Sequence, residues 1–166
     1  MALVATAGAA NSNSYLTLAE ANTYFEGRLH TTVWTAATDP QKEAALIWAT
    51  RLIDSEICFI GEASGATQAL AWPRSGMTNR NGFDIADNVV PNELKYATAE
   101  LALLLLSSDR TLESEAAAAG LSRLKAGPVE LGFKDEIKSN PVPDGVRTIL
   151  VKDWLCPEEI PWVGIV

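Results

Sequence analysis

One histidine, His30, is the only imidazole in this 166-residue chain. That removes the usual serine or cysteine triad and the usual histidine-rich metal cluster. Two cysteines, Cys58 and Cys156, are too few and too far apart to announce a disulfide framework or a zinc site, so both are expected to be free thiols in a reducing compartment. Neither a dinucleotide-binding glycine pattern nor a phosphate-binding P-loop is present. Asp84 and Asp87 resemble half of a carboxylate metal site but lack a third clustered ligand. A non-enzymatic protein with no metal and no cofactor is therefore expected. Basic residues are scarce as well, 13 against 21 acidic for a formal charge of -8, which disfavours a tight, sequence-blind grip on nucleic acid. No apolar run approaches the roughly 20 residues of a membrane span. The N-terminal MALVATAGAA has no basic n-region, so a secretory signal is not expected either.

What is present is helical. The stretch from Pro91 to Ser108 opens with a proline at a first-turn position and repeats Leu94, Ala97, Leu101, Leu104 and Leu105 at helical spacing. Leu103 and Leu106 close the apolar ring, so the helix is expected to be buried on all sides. Upstream, Thr17 and Glu20 match a capping box and open a helix over residues 18–29, with Leu18, Ala21, Tyr24, Phe25 and Leu29 on its apolar side. After a connection containing Trp34, Asp39 as N-cap and Pro40 start a second helix running to about Ser55. Trp48 lies near its polar boundary, where a large ring either packs in the core or meets a neighbour. Past the central helix, Thr111 to Gly120 reads as a short helix. Leu121–Ala126 and Val129–Lys134 read as a hairpin about Gly127-Pro128, and Val146, Ile149, Leu150 and Trp154 as a last amphipathic helix.

Between Gly61 and Val90 periodicity gives way to turn residues, and a loop of such length usually carries function or partner contact. Within it Trp72-Pro73-Arg74 and Arg80 are candidate partner-binding residues. An aromatic beside two guanidiniums could stack and neutralise a single strand, anchor a neighbouring subunit, or, for Leu70 and Trp72, plug the loop onto the helices. The C-terminal CPEEIPWVGIV carries two prolines and an apolar cluster. Ile160, Trp162, Val163, Ile165 and Val166 are accordingly candidates for docking, on the chain's own surface or on another subunit. His30 reads as a helix-end cation or a surface residue. The expected architecture is mainly α: a compact helical bundle with a small C-terminal β-hairpin, a long central loop and extended terminal arms. Residues 1–14 form a flexible N-terminal arm, 15–155 a single helical domain and 156–166 an extended C-terminal arm.

Asn13-Ser14-Tyr15, Thr17 to Ala21, Tyr24-Phe25, Lys42 to Leu46, Ala49-Thr50-Arg51, Ile53-Asp54, Gln68 to Arg74, and Pro91 with Ala99 to Ala102 together resemble a family of small proteins from phage structural gene blocks. Members are often labelled DnaT-like single-stranded DNA-binding proteins, and they resemble the head-tail adaptors, or head-completion (connector) proteins, of tailed phages. The resemblance implies a mainly helical virion neck protein, assembled in the host cytoplasm. It implies a dodecameric homo-oligomeric ring touching the portal protein and the tail or stopper proteins, through which genomic DNA passes without tight binding. The alternative it carries is a single-stranded DNA-binding accessory protein of replication, acting through Trp72, Arg74 and Arg80.

Overall fold

The computed structural model describes residues 2–110, 123–126, 129–132 and 140–157, the two short strands by their backbone alone. Five α-helices, four short strands and one 3-10 turn make up the described chain: α1 (Leu18–Glu26), α2 (Thr32–Ala36), α3 (Asp39–Glu56), β1 (Glu62–Ala63), β2 (Arg74–Ser75), α4 (Asn92–Ser107), β3 (Arg123–Ala126), β4 (Val129–Gly132), α5 (Asp144–Arg147) and a 3-10 turn (Lys152–Trp154).

α4 is the hub. It packs most extensively on α3 and also meets α1, α2 and α5, burying Leu94, Ala97, Ala99, Leu101, Ala102 and Leu103. Thr98 is buried with them without penalty, because its hydroxyl donates to the Leu94 carbonyl at 2.8 Å. The expected all-round burial holds only for the middle of the helix, residues 97–103, since Asn92 and Tyr96 are exposed in the first turns. Leu104, Leu105 and Leu106 are partly buried, and Leu105 and Leu106 share a cavity of about 390 Å³ with Trp48, Gln41 and Ala44 of α3. Trp48 is thus at a margin, 37 % exposed, with Arg51 over its ring at 5.3 Å.

Local signals set the helix starts. In α1, Thr17 accepts from the Glu20 amide and Glu20 accepts from the Thr17 amide, the reciprocal cap expected. α3 begins one residue earlier than its Asp-Pro pair suggests, since Thr38 is the N-cap and Gln41 accepts the Thr38 amide. α1 ends at Glu26, short of Leu29, because Gly27 caps it; Leu29 is left 79 % exposed and His30 takes a positive φ of 61°. α1 is tied to α4 by Arg28, whose Nε and Nη2 donate to the two Glu100 oxygens at 2.6 and 2.8 Å, with the Tyr24 hydroxyl on the same carboxylate at 2.8 Å. The connection before α3 is itself a helix, α2, which turns Trp34 inward with its Nε1 donating to Asn22.

The N-terminal segment, expected as an arm, folds back as a hook. Asn13 accepts the Val4 amide and donates to the Ala2 carbonyl, and the Ala69 amide reaches Ala9. These bonds return the backbone groups of a non-helical segment to internal partners.

The hairpin pairs Ala126 with Val129 and Arg123 with Gly132. The expected helix at 111–120 lies outside the described residues. The last expected helix is instead one turn of α5, a bend and a 3-10 turn, with Val146, Leu150 and Trp154 all buried. Trp154 donates its indole N–H to the Thr78 carbonyl, fastening this segment to the central loop.

Candidate functional site

Three regions hold residues with functional potential, and the first is the Trp72-Pro73-Arg74 stretch. It lies inside. β1 pairs with β2 in the register Glu62 to Ser75 and Ala63 to Arg74, drawing the loop tight at Gly61, where a Cβ would come within 2.7 Å of the Ser75 carbonyl oxygen. The Trp72–Pro73 peptide is cis. Trp72 is 1 % exposed, with Trp154 at 5.0 Å and Phe59 at 5.8 Å between ring centroids. Its indole N–H has no partner among the described residues. Arg74 reaches back over four backbone carbonyls: Nε on Ile60 at 2.7 Å, Nη2 on Gly61 at 2.7 Å and Phe59 at 3.2 Å, and Nη1 on Ala71 at 3.1 Å. Of the alternatives open for Trp72, the plug of the loop is the one its burial matches, and Arg74, a candidate for a strand or a subunit, instead pins the loop to the segment that follows α3. The cause is tertiary, since the planar guanidinium fork finds backbone carbonyls of the non-helical stretch after α3 and of the loop itself.

The same knot contains a buried carboxylate. Asp54 of α3 accepts the Tyr15 hydroxyl on one oxygen and the Ala71 amide on the other at 3.0 Å. Burial pushes its pKa up, against the opposing pull of Tyr15, the Ala71 amide and the Arg74 charge. Burial together with Asp54 drives the Tyr15 phenol well above its ordinary value.

The second region surrounds Arg80. Residues 79–83 form a compact turn, in which the Asn79 side chain accepts the amides of Asn81 and Phe83 and the Asn79 amide donates to Phe83. Arg80 donates from Nη2 to the Ile149 carbonyl, which brings it to a cavity of about 390 Å³ also lined by Arg147 and Lys152. Phe83, on the same turn, is 69 % exposed. Phe83, Arg147 and Lys152 escaped the sequence reading. The apolar spacing of residues 146–154 drew attention to the buried side of that segment, and no local pattern announces an exposed phenylalanine.

The third region is the C-terminal segment. The two cysteines are not free thiols: Cys58 and Cys156 form a disulfide with a Cα–Cα distance of 5.4 Å across a separation of 98 residues. The backbone there pairs in strand fashion, Cys156 N–H on Cys58 and Ile60 N–H on Trp154, with Phe59 opposite Leu155. Sequence distance concealed that residues 58–60, just after α3, and the last described residues run antiparallel. Ile160, Trp162, Val163, Ile165 and Val166 lie outside the described residues.

A family model described as "Putative DnaT-like ssDNA binding protein" matches residues 1–157. The chain belongs to that family. The match takes in the hooked N-terminus, the helices, the loop and the disulfide-linked segment, so the family extends beyond the stretch in which the resemblance is legible. No curated protein and no solved structure matches the chain.

Proposed function

We propose that this protein is a structural, non-enzymatic component of a tailed-phage virion, an adaptor that assembles as a dodecameric ring between the portal and the tail and extends the DNA channel. The observation that carries this reading is the fate of the motif residues. Tyr15, Thr17, Glu20, Asp54, Trp72 and Arg74, which carry the resemblance to head-tail adaptors, all serve the protomer's own architecture. A body braced in this way suits a part that must keep its shape within an assembly. Its charge of -8 suits a channel wall, because phosphates that meet repulsion slide instead of binding. The portal and the tail or stopper proteins are the partners, and the apolar C-terminal cluster is the docking element for the portal.

Quantitative mass spectrometry of purified virions tests this directly. A copy number equal to that of the portal protein is expected, and absence from virions overturns the reading. Truncation after Pro157 is the matching variant, because a cut at Asp153 would remove the buried Trp154 and Leu155.

The family description favours a second reading, single-stranded DNA binding. With Trp72 buried and Arg74 engaged, Arg80 and its neighbours are the residues of the loop candidate site left for such binding. Fluorescence anisotropy with a labelled oligo-dT separates the two. Binding that falls with salt and is lost in Arg80→Gln supports the second reading, and the adaptor reading expects little binding.

A further inference from the structure

We propose that Cys58 and Cys156 form a redox latch: the chain folds with both as thiols, and a small-molecule disulfide later oxidises them, locking residues 150–157 onto the core. This rests on the phage reading, under which the chain is made and assembled in a host cytoplasm. That compartment keeps thiols reduced, whereas the structure joins the two sulfurs. A bond that closes only after the chain leaves the reducing compartment reconciles the two.

The segment is held in place without the bond. Val151, Trp154 and Leu155 are buried, and the Trp154 ring lies 5.0 Å from that of Trp72. Its indole N–H donates to the Thr78 carbonyl at 2.6 Å. The Ile60 amide donates to the Trp154 carbonyl at 2.8 Å and the Cys156 amide to the Cys58 carbonyl at 3.0 Å, with Phe59 opposite Leu155 between them. This pairing alone sets Cys58 opposite Cys156. Their Cα atoms are 5.4 Å apart, inside the span of a disulfide, so two thiols held there close without moving the backbone.

Solvent chemistry reaches the pair. Cys58 is exposed and Cys156 half-buried, unlike the buried cysteines that stay inert. The Cys58 thiolate attacks one sulfur of a small disulfide RSSR, forming a mixed disulfide and releasing RS⁻. The Cys156 thiolate then displaces the second RS⁻ and forms the internal bond. The two chain thiols are oxidised, RSSR is reduced to two RSH, and the two thiol protons pass to the departing thiolates. The chain has no third cysteine to divert the exchange. An excess of RSH runs it backwards.

The latch acts on a local opening. With thiols, only packing and hydrogen bonds oppose the peeling of residues 150–157 from Trp72 and Phe59. With the bond closed, the segment cannot leave without residues 58–60, and segments so restrained open less often. Lys152 is exposed in the middle of this segment and supplies a trypsin site that reports the opening.

The experiment uses the full-length chain. Bacterial cells expressing it are quenched with N-ethylmaleimide, and the purified protein is weighed intact. Two maleimides per chain are expected, and a chain that carries none overturns the proposal, because the bond then forms inside the reducing cell. Protein reduced with a phosphine should keep the circular dichroism of the oxidised form. Glutathione disulfide should then convert it to a monomer with no free thiol. Trypsin should cut the reduced form at Lys152 roughly tenfold faster than the oxidised form, since cleavage follows the population of the open state. Equal cleavage rates, or glutathione adducts that never resolve to the internal bond, overturn the latch. Loss of the native spectrum on reduction overturns it too, by assigning the bond to folding. The virion copy number, measured separately, reports on the phage reading whichever way these results fall.

Discussion

The Tyr15 hydroxyl donates to the Asp54 carboxylate across a sequence separation of 39 residues, and the same carboxylate takes the Ala71 amide. One side chain therefore joins the N-terminal segment, α3 and the central loop. A hydrogen bond to a charged group contributes about 1.5 to 3 kcal/mol. Tyr15→Phe is expected to lower unfolding free energy by that amount, and a double-mutant cycle with Asp54→Asn should recover most of it as coupling. Urea denaturation measures both, and additive single effects would remove Asp54 from the bracing role. Because burial raises the Asp54 pKa, the folded state holds this proton more tightly than the unfolded state. Its contribution to stability falls as pH rises through the carboxylate range, and Asp54→Asn should flatten that slope.

Trp72 offers a contrast between packing and polarity. Trp72→Ala should cost about 3 to 5 kcal/mol, as for other large buried aromatics. Trp72→Phe should cost about 1 kcal/mol or less, because the volume lost is offset by removing a buried N–H with no partner among the described residues. Equal losses for the two variants, read from chemical denaturation, would contradict the burial described for this ring.

For Arg74 the expected consequence is stability. Replacing a guanidinium that donates to four backbone carbonyls by Lys should destabilise by about 2 to 3 kcal/mol, since an ammonium cannot reproduce the planar fork. A variant with unchanged melting temperature and altered oligonucleotide binding would return Arg74 to the surface role first expected of it.

The Cys58–Cys156 bridge closes a separation of 98 residues, for which the chain-entropy model gives about 4 to 5 kcal/mol. Reduction with a phosphine, or Cys58→Ser, should lower the midpoint of urea unfolding accordingly. An unchanged midpoint under verified reduction would mean that the backbone pairing beside it suffices.

Tyr24 provides an alkaline signature. Burial, followed by its hydrogen bond to Glu100, pushes the phenol up to about 12. A raised folded pKa means that its contribution to stability is complete below the ordinary tyrosine value, near 10, and is lost as pH rises toward 12. The ultraviolet difference titration of wild type against Tyr24→Phe should therefore show a midpoint near 12, and a midpoint near 10 would break the Tyr24–Glu100 link.

The legible parts of the fold were those coded over a few neighbouring residues. Thr17 and Glu20 announced the start of α1, and alternating runs on either side of Gly127-Pro128 announced the hairpin of β3 and β4. The long loop was legible, with the plugging role of Trp72 one of several alternatives that the residues left open. Nothing within Gln68 to Gly76 says whether a tryptophan and an arginine point toward solvent or back toward α3. The candidate site suffered likewise. Arg80 was visible in the sequence, whereas Arg147 and Lys152 join it only because the segment after α5 folds beneath the turn at residues 79–83.

Sequence alone determined the helical class, the capped start of α1, the α4 hub and the acidic balance, because propensity, capping and charge act over a turn of helix or simply add. Tertiary structure alone decided that Cys58 meets Cys156, that Trp72 and Arg74 turn inward, and that three cations share one cavity. Those outcomes depend on which distant segments are brought within a few ångströms, and that is set by how the whole apolar surface is buried at once.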